Sequence, residues 1–307
     1  MVNFSDDKIS CLGLGTWPFG GGYDWGELDE PAAQKAVLSA LEQGINFIDT
    51  APVYGNGQSE TFLGRVLQGR REKVFLAGKC GLVKNGSWTD HDLHPQAIYK
   101  QLAESLTRLK TDYLDLYQIH YPDPKVLLTD AVATLTRLQE KGLIRYIGLC
   151  NVSAAQIRAC TQAAKIFSVQ NEFSLLHPQK GLDVLDACRA CGARFIGYGV
   201  LCGGILSGKY KTAPNLRRAD ARNYFYKCYR GTAFDDAQKI VSRVRETARQ
   251  KNTTPAAVAV AWALQQPGVS HVLFGARNEE QVRQNTAALH VKLTPQEMLF
   301  LEGKDAN

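Results

Sequence analysis

Asp49, Tyr54, Lys79 and His120 are side chains of the kinds that together polarise a carbonyl group and protonate the alkoxide that develops from it. An ammonium beside a phenol favours the phenolate, so Lys79 next to Tyr54 is expected to lower a pKa that otherwise lies near ~10 and make the tyrosine a usable acid. Asp49 and Lys79 reaching into one cleft would form a partly buried ion pair, which needs good hydrogen bonding to survive desolvation and also has a purely structural explanation. His120 ends the stretch Leu-Asp-Leu-Tyr-Gln-Ile-His and is expected to donate a hydrogen bond to the carbonyl oxygen, holding it beside Tyr54. Such a site lacks a hydride, which no side chain supplies, so a nicotinamide cofactor must share the same mouth.

Residues so far apart in sequence have to be gathered by the fold. Short apolar runs at 11–14, 47–49, 74–79, 114–120, 144–150, 168–171, 194–198 and 269–274 alternate with stretches of helical period at 32–43, 59–67, 96–109, 130–141, 154–164, 182–191 and 279–287. Wholly apolar strands separated by amphipathic helices predict a parallel sheet covered on its outer face. Eight such units in 307 residues predict an α/β fold, a single (β/α)8 TIM barrel occupying 1–307 as one domain. The segment 2–9 is read as an N-terminal hairpin. Ser153 with Gln156, and Asn278 with Gln281, read as capping boxes, while Thr254 and Thr294 read as caps before Pro255 and Pro295. Two regions break the rhythm: a basic, tyrosine-rich loop at 208–232 after the seventh strand, and an extra helix pair at 236–250 and 256–265. A long loop inside a compact domain is usually functional, often a lid.

In a barrel of this kind the C-terminal strand ends converge on one mouth. Here they supply Asp49, Lys79, His120, Asn151, Gln170 and Tyr198 in turn, with Tyr54 just beyond Asp49 and Arg277 just beyond the last strand. The ring of Tyr198 is suited to stack on a nicotinamide, and the amides of Asn151 and Gln170 match its carboxamide. No Gly-x-Gly-x-x-Gly follows the first strand in a Rossmann context, since the glycines at 13, 15 and 20–22 lack the acidic partner of that motif. Gly275-Ala-Arg277, leading into a capped helix, instead reads as an anion site of backbone N–H groups and a guanidinium that suits a 2′-phosphate.

With 45% hydrophobic and 21% charged residues the chain can bury a sizeable core, which excludes a disordered or collagen-like protein. Its net charge of +6 is spread without a basic stripe, so nucleic acid is not an expected partner. No apolar run is long enough to span a bilayer, and the opening segment 1–8 has neither secretory nor transit character, so no membrane association and a cytoplasmic location are expected. The eight cysteines are expected to be reduced thiols. Cys188-x-x-Cys191 falls late in a helix, away from the N-terminus where thiolates are stabilised, and is read as chance spacing. No metal site is expected.

Leu-Gly-Leu-Gly-Thr-Trp at 12–17, Gly-Ile-Asn-Phe-Ile-Asp-Thr-Ala-Pro-Val-Tyr-Gly at 44–55 with Ser59 and Glu60, and Asp-Tyr-Leu-Asp-Leu-Tyr-Gln-Ile-His at 112–120 occur in that order. They are followed by Gly-Leu-Ile-Arg-Tyr-Ile-Gly at 142–148, Gly-Gly-Ile-Leu-Ser-Gly-Lys-Tyr at 203–210 and Gly-Ala-Arg-Asn-Glu-Glu-Gln-Val at 275–282. In these motifs the chain resembles the aldo-keto reductase family over nearly its whole length. The resemblance implies a barrel that binds extended NADPH, reduces an aldehyde or ketone, and uses Asp49, Tyr54, Lys79 and His120 as a catalytic tetrad with Tyr54 as general acid. It further implies Thr16, Trp17, Asp49, Cys150, Asn151, Gln170 and Tyr198 around the nicotinamide. Leu201, Gly203, Lys209 and Arg222 would lie along the pyrophosphate, and Gly275, Arg277, Gln281, Gln284 and Asn285 around the adenosine and its 2′-phosphate. The long loop would close over the cofactor as a belt, and Trp17, Tyr54, Trp88 and His120 would wall the substrate pocket.

The chain departs from the family pattern at Cys150, where a serine is usual, at Gly199-Val200, where Ser-Pro is usual, and at Gln284, where glutamate is common. Two other readings differ in class. One is a nonenzymatic NADPH-binding regulatory subunit similar to potassium-channel β subunits, which usually carry another residue where this chain has His120. The other is an aldolase using Lys79 as a Schiff-base nucleophile.

Overall fold

The computed structural model describes residues 8–85 and 88–304, so residues 2–7 of the expected hairpin lie outside the described residues. The apolar runs become the strands β1 (Leu12–Gly15), β2 (Phe47–Asp49) and β3 (Phe75–Cys80), then a two-stranded hairpin of β4 (Leu82–Asn85) and β5 (Trp88–His91). They continue with β6 (Leu114–Ile119), β7 (Ile144–Cys150), β8 (Ser168–Glu172), β9 (Arg194–Tyr198) and β10 (Val269–Gly275). All but the hairpin strands pair in parallel and close into a barrel in the order β1-β10-β9-β8-β7-β6-β3-β2. Every residue of β2, β3 and β6 is buried, as strands with a filled barrel on one side and helices on the other must be.

The covering helices alternate with these strands. α1 (Gly22–Trp25) and α2 (Glu30–Glu42) follow β1, α3 (Gln58–Val66) follows β2, and α4 (Pro95–Leu109) follows the hairpin. α5 (Leu128–Glu140), α6 (Ala154–Ala163) and α7 (Gln179–Cys191) follow β6, β7 and β8. Between β9 and β10 come α8 (Arg222–Phe225), α9 (Gly231–Gln250) and α10 (Pro255–Leu264), and α11 (Glu279–Thr286) and α12 (Pro295–Glu302) complete the fold.

Local chemistry sets the helix starts. Ser153 and Gln156 form a reciprocal capping box, and the Thr254 hydroxyl accepts the Ala257 N–H. Thr294 makes a full box with Glu297. Asn278 caps α11 through the Gln281 N–H, but the Gln281 side chain turns away and accepts the Arg277 N–H at 2.8 Å, so that box is only half formed.

Two stretches differ from their sequence reading. The expected loop at 208–232 is part of a longer excursion from β9 to α9 that contains 3-10 turns at Cys202–Ser207 and Lys227–Tyr229 as well as α8. The stretch after β3 lies outside every element predicted from sequence and is the β4–β5 hairpin. Its strands are too polar and exposed to carry an apolar signature.

The barrel interior is plugged by Phe47, Phe75, Leu116, Phe167, Ile196 and Leu273, beneath the strand ends that carry the polar residues. Burying a phenylalanine or leucine contributes roughly 1.5–3 kcal/mol, so this plug gives the site a rigid floor. Strand register then sets the polar residues side by side. Gly15 lies opposite Asp49, Lys79 opposite Gln118, Cys150 opposite Gln170, and Glu172 opposite Tyr198.

Candidate active site

Asp49 ends β2 and Lys79 lies near the end of β3, and both are almost fully buried. The Lys79 ammonium donates to Asp49 Oδ1, to the Thr50 carbonyl at 3.2 Å and to the Tyr54 hydroxyl at 3.1 Å. The other Asp49 oxygen accepts from Gln170 Nε2 at 2.9 Å and from Gln118 Nε2 at 3.1 Å. The pair therefore has the hydrogen bonding that a desolvated ion pair requires. Burial alone would lower the Lys79 pKa, but Asp49, with help from Tyr54 and Cys150, holds the amine above its ordinary value, charged. A permanently charged amine cannot attack a carbonyl, which leaves the Schiff-base reading without support.

Tyr54 stands in the turn after β2, where the chain passes so close to Gly20 that a Cβ there would fall 2.5 Å from the Gly55 nitrogen. Its pKa does not fall as the sequence reading expected. Burial raises it to about 12, and the attraction of Lys79 offsets only part of that cost. The phenol is therefore firmly protonated, a donor poised for an alkoxide.

The His120 ring meets Tyr54 edge-on at 5.9 Å and stacks on Tyr121 at 5.4 Å. Burial, with help from Lys79 and His91, pushes its pKa well below the usual histidine value, so the ring is a neutral hydrogen-bond donor. Its carbonyl accepts from Asn151 Nδ2 at 2.9 Å, and Asn151 Oδ1 accepts the Tyr198 hydroxyl at 2.7 Å. Asn151 itself sits at φ 56°, a left-handed conformation that asparagine tolerates.

A single cleft of about 1280 Å³ runs from these residues to the loop after β10. Trp17, Asp49, Tyr54, His120, Asn151, Gln170 and Tyr198 line its inner end, and Leu201, Gly203, Lys209, Arg222, Gly275, Arg277, Gln281, Gln284 and Asn285 line the rest. Gly203 has φ 64°, and a Cβ there would meet Arg222 Cγ at 3.0 Å, so glycine lets the long loop pack closely at this point. Arg222 is held by Asp220 at 2.7 Å and by the Tyr210 hydroxyl at 2.7 Å. Arg277 donates to the carbonyls of Trp25 at 3.3 Å and Glu27 at 2.5 Å.

Three expected contacts stand elsewhere. Thr16 is buried behind the wall, its hydroxyl donating to the Asp49 carbonyl at 2.8 Å and accepting from Ser59 at 2.9 Å. The Cys150 thiol also points inward, 3.6 Å from Gln118 Oε1. Trp88 is 64% exposed on the hairpin, because strand alternation turns its neighbours Thr89 and His91 into the cleft instead. Ser59 and Glu60 support the scaffold, since Ser59 holds Thr16 and Glu60 pairs with Arg108 at 2.7 Å. Sequence reasoning missed Gln118 and Tyr121. The first was visible as a polar residue inside an apolar strand, two places before His120.

A family model described as the aldo/keto reductase family matches residues 11–306. The chain is similar to the aldo-keto reductase YhdN of Bacillus subtilis (strain 168), 35% identical across 90% of this chain and 83% of that protein. It is similar also to the NADH-specific methylglyoxal reductase of Escherichia coli (strain K12), 34% identical across 94% of this chain and 93% of that protein. Among solved structures, the glycerol dehydrogenase AKR11B4 from Gluconobacter oxydans superposes with a TM-score of 0.87 at 31% identity, covering 96% of this chain and 91% of that one. Among the described residues no helix is long and apolar enough to cross a membrane.

Proposed function

The chain belongs to the aldo/keto reductase family, and from that premise we propose that it reduces an aldehyde or ketone to an alcohol with NADPH, Tyr54 being the proton donor. The observation that carries this reading is the Lys79 ammonium, bonded at once to Asp49 and to the Tyr54 hydroxyl at 3.1 Å, at the inner end of a cleft that continues to Arg277. When bound, a reduced nicotinamide supplies hydride to the carbonyl carbon.

The rest is the work of this chain. His120 donates to the carbonyl oxygen and places it beside Tyr54, which stays protonated until the oxygen becomes an alkoxide basic enough to take the proton. Lys79 then stabilises the phenolate left behind, and Asp49 keeps Lys79 charged and in place. The cleft fits an extended dinucleotide. Tyr198 offers a ring at the nicotinamide end, Gly203 lines the cleft beneath the long loop, and no carboxylate among the described residues pairs with Lys209. Asn151 and Gln170 reach the same end with their amides already engaged, so they would act by holding Tyr198 and Asp49 as much as by direct contact.

The choice between the two nicotinamide cofactors is the finer part of the proposal. The Escherichia coli relative is named for NADH, whereas this chain offers the Arg277 guanidinium at the far end, held only by two backbone carbonyls and able to exchange them for a 2′-phosphate. Titration with NADPH and NADH, followed by tryptophan fluorescence, and an aldehyde assay of Tyr54→Phe test the reading together. The expected result is tighter NADPH binding, with turnover of Tyr54→Phe lower by about 10²–10⁴-fold and its NADPH binding retained. Wild-type turnover by Tyr54→Phe would remove Tyr54 from the mechanism, and failure to bind either cofactor would remove the reductase reading itself.

A further inference from the structure

Beyond Tyr54 and His120 the cleft runs outward along the β4–β5 hairpin. Leu82 pairs with His91 and Lys84 with Thr89, and all four face the cleft. They form two rungs. The inner one continues the active site, because His91 meets Tyr121 edge-on at 6.2 Å and Tyr121 stacks on His120 at 5.4 Å. The outer rung, Lys84 with Thr89, lies two residues further along the strand, about 7 Å farther from the reacting end.

Some of the cleft's cations are paired with carboxylates; among the described residues Lys209 and Arg277, toward the cofactor end, are not. Lys180 is held by Glu172 at 2.5 Å, and Arg222 by Asp220 at 2.7 Å. Lys84 differs: among the described residues no carboxylate pairs with it. The hairpin's own acid, Asp90, is engaged by the Asn85 side chain at 2.9 Å. Asp24 also lines the cleft, and its backbone carbonyl accepts the Ala221 N–H at 2.9 Å. The substrate side of the mouth is thus apolar and aromatic near the carbonyl site and carries an unbalanced cation one rung out.

Resting on the reductase reading above, we propose that the substrates are carbonyl compounds bearing an anionic group, a carboxylate or a phosphate, at the end remote from the carbonyl, and that Lys84 recognises that group. The carbonyl sits between Tyr54 and His120, the connecting carbons pass Leu82 and His91, and the anion reaches the Lys84 ammonium. A contact to a half-buried lysine at the mouth adds modest affinity and acts on the ground state and transition state alike, so it changes KM and leaves kcat nearly alone. It also weakens with ionic strength.

The test compares two matched pairs with NADPH at low salt: butanal against succinic semialdehyde, and glyceraldehyde against glyceraldehyde phosphate. In at least one pair the anionic member should have a KM lower by about fivefold. That ratio should fall to near one in Lys84→Met, return in Lys84→Arg, and shrink at about 1 M salt, where the screening length is ~3 Å. The pair with the larger ratio identifies carboxylate or phosphate as the preferred anion. Turnover of the neutral members without preference for either anionic one, or a preference that Lys84→Met leaves intact, overturns the role of Lys84 while the reductase reading stands. Turnover of none of the four overturns both.

Discussion

Asp49 and Lys79, at the reacting end of the cleft, lie on barrel strands, are 2% and 1% exposed, and spend their hydrogen bonds on one another and on Tyr54, Gln118 and Gln170. At the far end Arg277 and Lys209 ride on loops and Arg222 opens the one-turn α8, held by Asp220; among the described residues the Arg277 guanidinium binds nothing stronger than the carbonyls of Trp25 and Glu27. The contrast separates two tasks. Proton transfer needs atoms fixed to a fraction of an ångström, which a strand end above a packed floor provides. Holding a large polyanion, the task proposed for the far end, needs donors that can change partners, and backbone carbonyls are suitable placeholders for Arg277 because a phosphate binds a guanidinium more strongly.

The sharpest way to break this comparison is to remove one cation from each end. Lys79→Met leaves the Asp49 carboxylate buried without its partner, so stability should fall by about 3–5 kcal/mol in urea unfolding and turnover by about 10²–10⁴-fold. Loss of turnover with stability within about 1 kcal/mol of wild type would mean that the inner end is not the rigid, charge-locked site described here.

The next effect is read in the pH profile of reduction. In the proposed mechanism Tyr54 must be protonated to act, and its pKa, raised by burial to about 12, lies above the ordinary tyrosine value near ~10. The proton is therefore present at all lower pH and is lost only as pH climbs toward about 12. His120 is needed as a neutral donor, and its depressed pKa keeps it neutral until the medium is well below the usual histidine range. Reductive kcat is expected to be level across neutral and mildly alkaline pH. An alkaline limb well below pH ~10 would show that the phenol is brought down in the working complex.

At the far end Arg277→Met should raise KM for NADPH by about tenfold or more, leave KM for NADH nearly unchanged, and alter kcat and unfolding little. An equal loss for both cofactors would show that Arg277 serves chiefly to hold the Trp25–Glu27 backbone.

The two ends were also unequally legible in the sequence. Strand ends are easy to read, because an apolar run that stops at a charged residue marks both the element and its mouth, as Phe-Ile-Asp at 47–49 does. The proposed tetrad emerges from three such endings, with Tyr54 in the turn just beyond the first. What the sequence did not show is which atoms each polar group spends on its neighbours. Thr16 and Cys150 have the right positions in the chain but turn inward to Asp49 and Gln118. The direction of the Tyr54 shift also reversed, since a sequence places the ammonium beside the phenol but carries no measure of the water excluded from both. The stretch after β3 was the hardest to read, because its alternation is carried by polar residues, in which both faces look alike.

That stretch supplies the smallest expected effect. Trp88 was expected to wall the substrate pocket, yet in β5 the residues facing the cleft are Thr89 and His91, and Trp88 is turned to the opposite side at 64% exposure. Aromatic contact with a substrate would contribute through desolvation, so a residue already in water and facing away contributes little to binding. Trp88→Ala is accordingly expected to change kcat/KM for any carbonyl substrate by less than about twofold, within the ±0.5 kcal/mol typical of surface substitutions. The same measurement on Trp17→Ala, whose ring packs against Tyr54 at 6.3 Å and Phe225 at 4.8 Å, should give a clearly larger loss. If Trp88→Ala costs as much as Trp17→Ala, Trp88 contacts the substrate after all, and the outer wall of the cleft takes in the opposite face of the hairpin.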